Sequence, residues 1–285
     1  MRQPGIDFHT HPLLVREMIE RHPELAKAAR ETYSIGNNFQ PLETFHLELD
    51  LAGIEKAVVL PMDASTAAGA VVWTNEQIGE LCGMSARFIG FASVDPHRED
   101  APERLTCAVQ TLGLRGLKLN PPMQRFFPDD ALAYPLYETA RDLGLPILFH
   151  AGMSWEPGSR LQYGHPLRFE NVAADFPKLR IVLAHLAWPW VVEAVALALK
   201  YPNVYLDTSA LYFDNPRDFL RFAMTHQAPL TVFERSLRKQ LVFGSNYPRV
   251  EIKNMVAAIE SLGFSEECLN LVFRRNADAL LEAAR

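Results

Sequence analysis

The 285-residue chain is 48% apolar and 22% charged, enough to bury one large core and unlike the composition of a disordered segment. Its formal charge is −6, with Lys and Arg scattered along the sequence. That excludes the broad basic footprint nucleic-acid binding needs, while a pocket for an anionic substrate still requires only one or two cations.

Three separate cysteines, Cys82, Cys107 and Cys268, form no CxxC pair, so a cysteine zinc site or disulfide framework is not expected and they read as free thiols. No apolar signal region opens the sequence, and the apolar run at residues 191–199 is broken by Glu193 and too short to span a bilayer. A cytoplasmic chain without nucleic-acid or membrane partners is the expectation.

The first β-rich run covers residues 6–11 (IDFHTH). Residues 12–40 make a long first connection, expected to fold over the mouth as a partial lid. Residues 42–52 carry leucines and charges at helical spacing and stop before Gly53. Strands follow at 56–60 (KAVVL), 87–94 (RFIGFASV) and 114–120 (LRGLKLN). A helix over 130–143 ends at Gly144 and then Pro146, a Gly-then-Pro stop. The fifth and sixth strands are 146–150 (PILFH) and 180–185 (RIVLAH), with a helix over 190–200. Strands 203–208 (NVYLDT) and 240–245 (QLVFGS) complete eight, and helices are expected over 254–262 and 265–284. Strand starts lie about 20–50 residues apart, the reach of a βαβ unit. Strict alternation predicts an α/β fold in which residues 1–285 form a single (β/α)8 TIM barrel. The Gly-rich turn of a nucleotide-binding sheet is missing: His9-Thr10-His11-Pro12 stands in its place.

Side chains alternate along a strand, so His9 and His11 share one face, with Ile6, Phe8 and Thr10 on the other, toward the outer helices. His150 ends the fifth strand and His185 the sixth, where a barrel opens its catalytic mouth. Neutral imidazoles converging there form a nitrogen cage for one divalent first-row ion, most simply Zn²⁺. Such an ion lowers the pKa of water toward about 7. Lys118 and Asn120 share one face of the fourth strand; if that face is the interior, Lys118 can bind a substrate carboxylate, pair with an interior carboxylate or, if carboxylated, bridge two metals.

These segments resemble the amidohydrolase superfamily, in particular the amidohydrolase-2 branch, which includes hydrolases and decarboxylases of aromatic or unsaturated acids. The resemblance rests on IDFHTHP, GLKLNP, PILFHAG, IVLAHLA, FGSNYP and RRNADALL and covers nearly the whole chain. It implies that His9, His11 and His150 are metal ligands and that His185 polarises the attacking water or contacts substrate. The family pattern FG[ST]DYP places an Asp where this chain has Asn246, implied to be both a ligand and a catalytic position. An amide can coordinate through its oxygen but brings no charge and cannot act as a base. Three readings follow: a natural variant with altered chemistry, a non-catalytic relative, or a substitution that traps substrate.

Trp155, Arg160 and Tyr163, in the loop after His150, suit a planar carboxylated substrate or serve ordinary loop packing, with Arg249 a further candidate. Asp207 can orient a neighbouring histidine or act structurally. Asp63 and Asp95 read as turn caps, and His22, His46, His97, His165 and His226 as structural. The leading expectation is a metal-dependent hydrolase of a small organic acid, ester, lactone or amide. The alternatives are a non-oxidative decarboxylase and a ligand-binding barrel weakened by Asn246. A homodimer is the prior for assembly.

Overall fold

The computed structural model describes residues 3–282 except residue 211. Eight parallel strands alternate with helices: β1 (Gly5–Thr10), β2 (Ile54–Val59), β3 (Phe88–Gly90), β4 (Leu117–Leu119), β5 (Ile147–Phe149), β6 (Ile181–Leu183), β7 (Val204–Asp207) and β8 (Leu241–Val242). Each falls within or overlaps a run expected from the sequence. The strands pair in order as β1–β2–β3 and β4–β5–β6–β7–β8. Backbone hydrogen bonds join these two sheets at both seams. At one, Ala92 N–H donates to Gly116 O (2.8 Å) and Lys118 N–H to Ala92 O (2.7 Å); at the other, Phe8 N–H donates to Phe243 O (2.8 Å) and Asn246 N–H to His9 O (2.9 Å). The ring so formed is a TIM barrel, which leaves no strand edge open.

Two apolar clusters separate the inside of the barrel from its shell. The larger packs alternate strand residues, such as Ile147, Phe149, Ile181 and Leu183, against the helices. The smaller fills the interior with Val58, Leu60, Ile89, Phe91, Leu148, Val182 and Val242, and Ala277, Leu280 and Leu281 of the last helix join it. Ile6 and Phe8 belong to this interior set, and Phe8 meets Phe91 edge-on at 5.6 Å. The expectation that both face the outer helices therefore fails. Strict alternation breaks because the register of β1 against β2 shifts between Asp7 and Thr10. His9 N–H donates back to Asp7 Oδ1 (3.1 Å), and Ser245 N–H donates to the same oxygen (3.0 Å). This irregularity lets apolar residues fill the barrel's depth while His9 and His11 reach its mouth.

Expected helices recur with trimmed ends as Leu42–Leu51, Tyr134–Asp142 and Val191–Lys200, and Ile252–Glu260 lies two residues earlier than expected. The tail runs helically from Glu266 to Glu282, with the Ser265 hydroxyl accepting from Cys268 N–H (3.3 Å); the last two positions expected of it lie outside the described residues. Helix Asn75–Met84 was not anticipated, although Thr74 and Gln77 form a reciprocal capping box at its start. A hairpin of Met62–Ala64 with Ala70–Val72 follows β2, also unforeseen. Within residues 12–40, short helices at Arg16–Arg21 and Glu24–Lys27 lead to Tyr33, and Val15 bridges Gln40. Among the described residues no helix is long and apolar enough to cross a membrane.

Candidate active site

Four imidazoles meet at the C-terminal end of the strands. Ring centroids are 5.1 Å apart for His9–His11, 4.9 Å for His9–His185 and 4.8 Å for His150–His185. His150 directly follows β5. His185, just past β6, takes a left-handed backbone (φ 59°), as do the next two residues, and the chain turns sharply at the mouth. At the end of β8 the small Gly244 makes room for β1: a Cβ there would come within 2.8 Å of His9 Cβ.

Hydrogen bonds fix which ring nitrogens are free. His9 Nδ1–H donates to Asp207 Oδ2 (2.7 Å), and His11 Nδ1–H donates to Leu60 O (3.0 Å). Each Nε2 is therefore a bare lone pair, and the two face one another at 3.2 Å. Two acceptors at that separation cannot satisfy each other, whereas a cation can serve both. His185 Nδ1–H donates to Ser209 O (3.1 Å), again leaving Nε2 bare. His150 differs: its Nε2–H donates to Met153 O (2.9 Å), so only Nδ1 can offer a lone pair. Burial is the first cause holding all four rings below the ordinary imidazole range, and His150 falls to about 3. Lys118 is the next cause for His9 and His150, the neighbouring His9 for His11, and His150 for His185. Neutral rings are the form that binds metal.

Asp207, fully buried, accepts from His9 on one oxygen and from the backbone N–H groups of His185 and Ser209 (both 2.9 Å) on the other. It thereby anchors two histidines, the orienting role foreseen for it. Donor atoms of His9, His185 and Asp207 lie within 4.8 Å of one another, so these three also make a candidate cation site. With both carboxylate oxygens already engaged, Asp207 fits the positioning role better.

A cavity of about 10 Å³, room for one water or ion, lies above the rings. It is lined by His11, His150, His185 and Asn246, with Lys118, Asn120, Tyr33, Glu156 and Arg249 completing it. Lys118 is 2% exposed, and its Nζ has no hydrogen-bond partner. Burial pulls it down to about 7, against the opposing pull of Asp207 and Glu156. Asn246, at φ 66°, donates from its amide nitrogen to Ala210 O (3.1 Å). Arg249 donates to Tyr33 O (2.7 Å) and so ties the strand-eight loop to the 12–40 segment.

Of the two readings of the loop residues Trp155, Arg160 and Tyr163, the structure favours ordinary loop packing. Trp155 is 59% exposed with its ring toward Tyr212, and Arg160 is exposed; neither lines the cavity. Tyr163 instead packs on Phe127. The same loop sends in Glu156, which is buried and receives the Ser154 hydroxyl. No periodicity marks a loop residue as inward, and a charged side chain flanked by Trp and Pro gives no signal of burial. Asp63 and Asp95 accept backbone N–H groups in turns, as expected of caps.

The sequence profile of the amidohydrolase family matches residues 6–282. An uncharacterised TIM-barrel protein of Bordetella bronchiseptica is similar at 25% identity, covering 98% of this chain and 99% of its own, with a TM-score of 0.78. A Pseudomonas putida protein assigned as 2-pyrone-4,6-dicarboxylic acid hydrolase is 19% identical, covers 99% of each chain and has a TM-score of 0.68. The 5-carboxyvanillate decarboxylase of Novosphingobium aromaticivorans, solved with manganese and a nitrobenzoic acid, is 15% identical over 99% of this chain and 96% of its own, with a TM-score of 0.66. Protein fluG of Emericella nidulans is 33% identical over 67 residues, 24% of this chain and only 8% of that protein's length.

Proposed function

Because this chain belongs to the amidohydrolase family of metal-dependent TIM-barrel enzymes, we propose that it hydrolyses an ester, lactone or amide bond in a small organic acid. The observation that carries this reading is the pair of bare Nε2 atoms of His9 and His11, facing one another at 3.2 Å beside the small cavity that His11 lines. His9 and His11 would hold the ion, completed from His150 Nδ1 and the Asn246 amide oxygen, which line the same cavity. Such an imidazole-rich donor set suits Zn²⁺, and manganese is the alternative to test. A bound divalent ion supplies Lewis acidity at the scissile carbonyl and charge stabilisation.

The chain's own groups divide the rest of the work. Lys118 Nζ, buried and without a partner, binds a substrate carboxylate, which compensates an ammonium otherwise left alone. Arg249 provides a second cation at the rim. His185 presents a bare Nε2 that orients the attacking water. Burial of these side chains strengthens each of these contacts.

Metal analysis of purified protein should find close to one divalent ion per chain. Hydrolysis of a panel of carboxylated lactones, esters and amides should place one ¹⁸O from labelled water in the product, cease on chelation and return with Zn²⁺ or Mn²⁺. Full activity in a metal-free preparation would overturn the reading. One observation favours a second reaction on this scaffold, non-oxidative decarboxylation: Asn246 removes a base that activating water would use. Carbon dioxide released with no ¹⁸O incorporated would select it.

A further inference from the structure

The cavity lacks a carboxylate at position 246 but holds one from elsewhere. Asp207 lies beneath the rings with both oxygens committed to His9, His185 and Ser209. Glu156 is the acidic residue lining the cavity among the described residues, together with Asn246, Lys118, His185 and Arg249. Its loop is held in shape: Ser159 N–H donates to Glu156 O (3.1 Å), Ser159 Oγ–H to Ser154 O (3.0 Å), and the Ser154 hydroxyl to the carboxylate itself. Met153, at the root of the loop, accepts from His150 and from the Tyr212 hydroxyl. A buried acid on a pinned loop, sharing the cavity with two cations and three imidazoles, is a built feature of the site.

Resting on the hydrolytic reading above, we propose that Glu156 is the catalytic carboxylate of this site, taking over from the fifth-strand loop the proton transfer that Asn246 cannot perform. As the water oxygen bonds to the substrate carbonyl carbon, the Glu156 carboxylate accepts a proton from that water. As the carbon–oxygen or carbon–nitrogen bond breaks, the protonated carboxyl returns the proton to the leaving oxygen or nitrogen. The carboxylate is regenerated, and the products are an acid with an alcohol or amine. Electrostatics favours Glu156 over His185 for this transfer. A proton on His185 would add positive charge beside His9, His150 and Lys118, whereas a proton on Glu156 cancels a negative charge that burial already disfavours. Burial indeed raises the Glu156 carboxyl, opposed by its own backbone, Arg249 and Lys118.

The test uses the metal-loaded enzyme on a substrate it hydrolyses. Glu156→Gln should lower kcat by roughly 10²–10³-fold, the size expected for a general base, with KM changed by less than about threefold. Bound metal per chain and melting temperature should stay as in the unsubstituted protein, which separates proton transfer from metal binding and folding. Adding Asn246→Asp to that variant should recover at least about tenfold of the lost kcat by restoring a carboxylate to the cavity. The proposal is overturned if Glu156→Gln keeps kcat within about threefold, if its activity is lost together with its metal, or if the double variant stays as slow. A protein that binds metal yet incorporates no ¹⁸O into any product overturns the hydrolytic reading and this proposal together. Hydrolysis that ignores Glu156 overturns this proposal alone.

Discussion

Position 246 shows how much one atom decides. The Asn246 amide donates to Ala210 O at 3.1 Å, which a carboxylate in the same pose would repel. The residue also sits at φ 66°, where Asn is among the residues best tolerated outside glycine. Backbone and side chain therefore both accommodate Asn here. Lys118 makes the opposite kind of statement, an ammonium buried with no partner. Its pKa falls from 10.5 to about 7, so below pH 7 it is charged in both the folded and unfolded chain and the full penalty of burying the charge applies. Between pH 7 and 10.5 the unfolded chain holds a proton the folded chain has released, so stability rises with pH. In metal-free protein, Lys118→Met should relieve on the order of 4 kcal/mol at pH 7 and abolish that rise. Denaturant melts at pH 7 and pH 10 check both effects, and a variant no more stable than the parent would refute them. The same substitution should raise KM for a carboxylated substrate by roughly 10–100-fold, the value of one charged hydrogen bond.

Among the elements, the loop after β5 depends on its junction with the loop after β6. Met153 N–H donates to Trp188 O (2.8 Å) across that junction, while Gly152 N–H to Gly164 O (2.7 Å) closes the β5 loop on itself. Gly152 is at φ 85°, and a Cβ there would run into the Trp188 carbonyl, a backbone atom that cannot rotate away. Gly152→Ala should destabilise the protein by about 2–4 kcal/mol and also lower kcat, because the loop carrying Glu156 must shift. Thermal melts and steady-state rates on the same sample test this, and an unchanged kcat in a destabilised variant would separate the loop's packing from its chemistry.

Legibility in the sequence follows the same lines. Strands such as PILFH and RIVLAH were readable because both faces of a barrel strand are buried and each ends in a histidine at the mouth. The irregularity in β1 was not readable, since Asp7 accepting two backbone N–H groups leaves no mark in an apolar–polar pattern. Nor was Glu156, a loop residue outside any periodic pattern, which the turn fixed by Ser154 and Ser159 points inward while Trp155 and Arg160 stay exposed.

At the scale of the whole molecule, the barrel separates chemistry from stability along its axis. The histidines, Lys118 and Glu156 occupy the C-terminal end of the strands. Leu280, fully buried, joins the interior cluster from the last helix together with Ala277 and Leu281. Arg180 donates to Leu280 O (2.8 Å) and Arg115 to Leu281 O (2.7 Å), and both arginines stand at the N-terminal ends of their strands. The last helix therefore plugs the end of the barrel opposite the site, closing a core that eight short strands cannot seal alone. Leu280→Ala leaves a cavity there and should cost about 2–5 kcal/mol, with the melting temperature falling by roughly 2–4 °C for each kcal/mol. At a temperature where the variant is fully folded, kcat/KM should stay within about twofold of the parent, since nothing at the mouth is disturbed. Melting curves paired with steady-state kinetics decide it. A large loss of kcat/KM in the folded variant would mean that the two ends of the barrel are mechanically coupled.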